Sequence, residues 1–168
     1  MPYDPAWPTR AAGELRRLAD ALGPVARRLE HAGSTAVPGL AAKPVLDLQL
    51  SVDQIDDQTR YVTAIERLGY LFGEDPASPD YHFFGMPAAR PRSHHLHVCA
   101  TGSEHERRHL AVRDYLREHE IEASRYAATK LELGIRHPQD RLAYMAGKDS
   151  HLAELEARAL SWAASARS

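Results

Sequence analysis

The stretch Pro44-Val45-Leu46-Asp47-Leu48-Gln49-Leu50-Ser51-Val52 alternates without a break. In an extended chain Leu46, Leu48, Leu50 and Val52 point one way while Val45, Asp47, Gln49 and Ser51 point the other, which gives a strand with one apolar face and one polar face. Reading outward from it, residues 33–44 form a loop and 29–32 a short strand. Thr9 is expected to cap a helix through Leu15, Leu18, Ala19 and Leu22 that Gly23-Pro24 stops. Downstream, Asp53 is expected to cap a helix through Ile55, Val62, Ile65 and Leu68, ended by Gly69, with a strand resuming at Tyr70-Leu71-Phe72. Residues 81–86 and 93–100 read as a hairpin around a long turn. Beyond Gly102 the period is helical, over about 104–119, 122–136 and 140–164, with a break near Gly147. Strands followed by helices in 168 residues predict one α/β (α+β) domain, residues 1–168, with a mixed sheet under a C-terminal helical layer.

Composition narrows the function classes. Hydrophobic residues make up 43% and charged residues 26%, as in ordinary globular chains. With 21 basic and 23 acidic side chains the net charge is −2, so no global field draws the chain to DNA, RNA or an anionic membrane. Cys99 stands alone and has no disulfide partner, and no apolar run approaches the ~20 residues of a membrane span. Residues 1–8 lack a basic region followed by an apolar one, so no signal peptide is expected and a reducing cytoplasm fits best.

The loop before the strand carries the first chemistry. In His31-Ala32-Gly33-Ser34-Thr35 the glycine lets backbone N–H groups approach an anion, Ser34 and Thr35 add hydroxyls, and Lys43 adds charge. The same residues would serve as an ordinary turn before a buried strand, and alone they do not decide. Asp47 follows on the polar face, and its spacing from Gly33-Ser34 resembles the nucleotidyltransferase pattern of Gly-Ser, a loop, then Asp-x-Asp. In His94-His95-Leu96-His97, alternation places His95 and His97 together, where an imidazole could act as base or ligand. On the helices, His105, His109, Arg113 and Arg117 form a stripe, and Lys130 lies beside a buried face with Tyr126. Arg141, Tyr144 and Lys148 cluster similarly. His105-Glu106-Arg107-Arg108-His109 matches the zinc-protease pattern H-E-x-x-H, but two arginines beside a dication and the lack of a third ligand argue against it.

The wider sequence resembles the GrpB family. The residues that carry the likeness are Tyr3-Asp4-Pro5 with Trp7, Glu30-His31 through Gly33-Ser34-Thr35, Val37-Pro38-Gly39-Leu40 and Lys43-Pro44, then His95-Leu96-His97-Val98 and Arg108-His109-Leu110 with Arg113-Asp114-Tyr115-Leu116. The resemblance implies a nucleotidyltransferase-like fold, sometimes found behind dephospho-CoA kinase, in which two carboxylates on one strand face bind Mg²⁺ across triphosphate oxygens. In this chain the second carboxylate position is Gln49, so Asp47, Gln49 and His97 are the expected metal ligands, with Mn²⁺ or Zn²⁺ as alternatives to Mg²⁺. Gly33, Ser34, Thr35, Lys43, Arg108, Lys130 and Lys148 are the expected nucleotide contacts, and His95, His97 and Asp47 the expected catalytic groups. The expected activity is a transferase that takes a nucleoside triphosphate and a small acceptor. An ATP-dependent amide ligase and a non-catalytic nucleotide-binding module are the alternatives, and oligomeric state stays open.

Overall fold

A computed structural model describes residues 1–73, 80–87 and 91–166. The strands are β1 Arg28–Ala32, β2 Leu46–Val52, β3 Leu71–Gly73, β4 Tyr81–Met86 and β5 His94–Ala100. The helices are α1 Trp7–Leu22, α2 Val62–Arg67, α3 Glu104–Glu118, α4 Glu120–Arg136 and α5 Arg141–Ser165. They make a mixed α/β architecture, in which the five strands form one sheet in the order β1-β2-β5-β4-β3. β2 and β5 run parallel, while the other three pairings are antiparallel.

The alternation in β2 does what its pattern predicts. Leu46, Leu48, Leu50 and Val52 are buried in a core that includes Leu96 and Val98 of β5, Phe84 of β4, and Trp7, Ala11 and Leu18 of α1. Each of the larger side chains contributes roughly 1.5–3 kcal/mol through burial. A second core joins Val37 and Leu40 of the 33–44 loop to Tyr115 and Leu116 of α3, Tyr126 of α4, and Leu155 and Ala159 of α5. The helical layer thus clamps the loop that precedes β2. No described helix is long and apolar enough to cross a membrane.

Three local expectations are corrected. α1 begins at Trp7, ahead of Thr9, because Pro8 tolerates the first turn and the Asp4 side chain accepts from the Ala6 N–H. Asp53 does not cap a helix: it pairs with Arg27, and α2 starts only at Val62. α5 runs through Gly147 without a break, and this glycine serves close packing instead, since a Cβ there would lie 2.6 Å from Leu133 Cδ2 on α4. Residues 74–79, and residues 88–90 within the expected hairpin turn, lie outside the described residues.

Candidate functional site

Register places the polar residues of neighbouring strands in rows across one sheet face. One row is Arg28, Ser51, Cys99 and Tyr81; the next is Glu30, Gln49, His97 and Phe83; the third is Ala32, Asp47, His95 and Gly85. Ser51 and Gln49 are fully buried beneath α3. Glu106, His109 and Arg113 sit at i, i+3 and i+7 of that helix, so they share its sheet-facing side. Ser51 Oγ donates to Glu106 Oε1 at 2.6 Å, His109 Nδ1 donates to Gln49 Oε1 at 2.8 Å, and Arg113 Nη1 donates to Glu30 Oε2 at 2.7 Å. A ladder of polar contacts ties α3 to the sheet here.

That ladder redefines two sequence motifs. Gln49 spends its amide oxygen on His109 and leaves Nε2 buried without a partner, so it positions an imidazole where a metal ligand was expected. Glu106 accepts from both Ser51 Oγ and the Gly102 N–H, which commits the glutamate of the H-E-x-x-H match to structure. His105 stacks on Tyr81, with its Nε2 buried and unpartnered, and burial with the charges of His109 and Arg108 pushes its pKa down to about 4.

The third row lies beyond the end of the ladder and stays partly open. Asp47 Oδ1 accepts from His95 Nδ1 at 3.0 Å, with the two side chains 28% and 32% exposed. A carboxylate on Nδ1 fixes the tautomer and leaves the Nε2 lone pair free to take a proton. Burial works to raise the Asp47 pKa, but the His95 hydrogen bond and the fields of His97, His95 and His109 bring it below its ordinary value. Phe83 packs edge-on against both His95 and His97. His97 is deeper: its Nδ1 is buried without a partner, and burial holds its pKa well below the ordinary value, so it is neutral. Gly33 takes φ +66°, and a Cβ there would lie 2.4 Å from Asp47 Oδ2. Only glycine lets the turn lie this close to the carboxylate.

Ser34 follows on the same turn. Lys130 Nζ on α4 donates to Ser34 Oγ at 2.9 Å and to the Ala41 carbonyl at 3.2 Å, and lies over the Tyr126 ring. Burial and the charge of Lys148 lower the Lys130 pKa to about 8, against the opposing pull of Asp47. Among the described residues, no carboxylate pairs with Lys130 or Lys148.

Gly33, Ser34, Asp47, His95, His97 and Lys130 therefore gather around one end of β2 and β5, and Lys148 reaches them through its field. Three expected contacts are placed otherwise. Thr35 is buried and bonded to His31 Nε2 at 2.9 Å, Lys43 lies over the Tyr144 ring, and Arg108 pairs with Glu104 on its own helix. His109 and Glu106 were missed as sheet partners. The signal was present in the i, i+3, i+7 spacing on α3 set against the two-residue period of β2.

Among the described residues, no group of three or more His, Cys, Asp or Glu side chains is arranged to hold a metal ion. Mg²⁺ asks for oxygen ligands, and Asp47 is the one carboxylate in the third row, already bonded to His95. The donor set does not fit a Mg²⁺ held by this chain alone.

The GrpB family model matches residues 1–158. The chain belongs to the GrpB family. It is 42% identical over 163 residues to the UPF0157 protein PA4798 of Pseudomonas aeruginosa, covering 95% of this chain and 66% of that one. It is also 32% identical to a dephospho-CoA kinase of Mycolicibacterium paratuberculosis, covering 97% of this chain but 46% of that protein. This chain thus spans about two thirds of the first relative and under half of the second. Among solved structures, the conserved protein GrpB from Enterococcus faecalis superposes with a TM-score of 0.87 at 33% identity, over 96% of each chain. That likeness shows the mixed sheet and the helical layer shared with the Enterococcus faecalis protein.

Proposed function

We propose that the chain is a cytoplasmic transferase of nucleotidyltransferase type, which binds a nucleoside triphosphate at the Gly33-Ser34 turn and moves the nucleotidyl group to a small acceptor. The observation that carries this reading is the Asp47–His95 pair beside a glycine turn with Lys130 on its serine. In the proposed reaction His95 Nε2 takes the proton of the acceptor hydroxyl or carboxyl, the acceptor oxygen attacks the α-phosphorus, and the bond to the β-phosphate breaks to release pyrophosphate. Asp47 holds His95 in its tautomer and stabilises the imidazolium that forms. Lys130 and Lys148 supply positive charge for the phosphates. The divalent ion, Mg²⁺ first, with Mn²⁺ or Zn²⁺ as alternatives, enters as part of the metal–triphosphate substrate. Nucleic acid and membrane are not expected partners.

A second reading, a nucleotide-binding module without turnover, is favoured by one observation: Gln49 stands where a second carboxylate would be and is bonded to His109. The experiment that separates the two incubates the protein with each nucleoside triphosphate, Mg²⁺ or Mn²⁺ and a panel of hydroxyl, carboxyl and amine acceptors. Pyrophosphate release that Asp47→Asn and His95→Gln both abolish supports the transferase. An amide product would make it the ATP-dependent ligase. Nucleotide binding with no turnover supports the module, and neither binding nor turnover refutes both.

A further inference from the structure

Ser34 and Lys130 are placed for a second chemistry besides phosphate binding. Lys130 Nζ is directed at the Ser34 hydroxyl at 2.9 Å and anchored by the Ala41 carbonyl at 3.2 Å. Tyr126 packs under the amine. Both Ser34 and Lys130 keep part of their surface open to solvent. We propose that Ser34 and Lys130 form a nucleophile–base pair, a serine–lysine dyad that cleaves a small activated acyl compound through an acyl-enzyme. This reading goes beyond nucleotide transfer and does not rest on it.

The chemistry balances within the site. With the amine neutral, one N–H keeps its bond to Ala41 and the lone pair accepts the Ser34 proton as Oγ forms a bond to the acyl carbon. The leaving group takes that proton from Lys130 as its bond to the acyl carbon breaks. Water then attacks the ester carbon with Lys130 again as base, releasing the acid and restoring Ser34. A lysine can do this near neutral pH only if its charge is disfavoured. Burial in α4 against the 33–44 loop and the facing Lys148 of α5 disfavour it, Asp47 of β2 opposes them, and Tyr126 adds no charge. Lys148, with no carboxylate partner among the described residues, favours an acyl group that also carries an anion.

The test uses intact-mass spectrometry on the whole chain with p-nitrophenyl hemisuccinate, an anionic activated ester, and p-nitrophenyl acetate. A single succinyl adduct on Ser34 is expected, formed faster than the acetyl adduct, at a rate that rises with pH through about 8. Ser34→Ala should remove the adduct. Lys130→Met should slow its formation at least tenfold, and Lys130→Arg should not restore it, because a guanidinium stays charged. Thermal melting checks that each variant is folded, and Ser34→Cys gives a second route, since its thiol should acylate with the same dependence on Lys130. Adducts spread over surface lysines, or a Ser34 adduct that forms equally fast in folded Lys130→Met, would overturn the proposal. The nucleotide reading is judged separately by pyrophosphate release from nucleoside triphosphates, an assay that contains no acyl ester.

Discussion

Replacing Gly33 by alanine tests the geometry on which the site depends. Gly33 has φ +66° and ψ −168°, a region that costs side-chain-bearing residues roughly 1–3 kcal/mol. The added Cβ would also lie 2.4 Å from Asp47 Oδ2, 2.7 Å from its Cβ and 2.9 Å from its Cγ. A carboxylate oxygen can swing away, but Asp47 Cβ is fixed by β2, so the strand and the turn must separate, at a further ~1–3 kcal/mol. Together with a loosened Asp47–His95 bond, the expected loss is roughly 3–6 kcal/mol. Gly39 provides the control: its φ is +77°, yet nothing lies within 4 Å of an added Cβ, so Gly39→Ala carries only the backbone term of about 1–2 kcal/mol. At ~2–4 °C per kcal/mol for a chain of this size, thermal melting should place Gly33→Ala at least ~2 °C below Gly39→Ala. Equal melting temperatures for the two variants would show that the turn does not press on Asp47 and would refute the argument.

Three further outcomes follow from the polar ladder and its histidines. Glu106→Ala leaves the Ser51 hydroxyl and the Gly102 N–H without their acceptor and should cost about 2–4 kcal/mol in urea unfolding, whereas a catalytic glutamate would leave stability nearly unchanged. Arg113→Ala removes the buried guanidinium between Glu30 and Asp114, which keep Arg28 and Arg117 as partners, and should cost ~1–3 kcal/mol by the same measurement, with Arg113→Lys restoring only part of it because it cannot donate to both carboxylates as a planar fork. Because the His105 pKa falls from 6.5 to about 4 on folding, the unfolded chain binds more protons between those values. Stability is therefore complete above pH 6.5 and falls as pH drops toward 4, and His105→Phe, which keeps the ring on Tyr81, should flatten that slope; an unchanged slope would place the proton uptake elsewhere.

The fold was legible where one residue decides a face. The alternation of β2 and β5 set Asp47 and Gln49, and His95 and His97, on the faces opposite the buried Leu48 and Leu96, while the parallel pairing that puts the two sets side by side came from the structure. Boundaries were less legible. Asp53 has the chemistry of a cap, yet Arg27 on the strand edge claims it, and a long-range partner of that kind leaves no local trace. Gly147 reads as a breaker by propensity, but the space beside Leu133 decides its role. The pairing of α3 with the sheet was hidden for a related reason: Glu106, His109 and Arg113 look like a solvated polar face until a second polar face is known to lie opposite.

The unpartnered groups point to where the molecule gives up stability. Gln49 Nε2, His97 Nδ1 and His105 Nε2 are buried donors or acceptors without partners, each carrying a cost of about 1–3 kcal/mol; the first two belong to the row next to Asp47 and His95, and the third lies on α3 against Tyr81. An apolar substitution at His97 could recover its share, since Tyr81 and Phe83 already pack against the ring. His97→Phe should therefore leave the melting temperature equal or higher while lowering any turnover that depends on the Asp47–His95 pair, because Phe83 packs against both His95 and His97 and must shift to admit the larger phenyl ring. A variant that loses stability in step with activity would mean that His97 serves only the core. A variant that gains stability while losing activity would locate the cost of the site in that one ring.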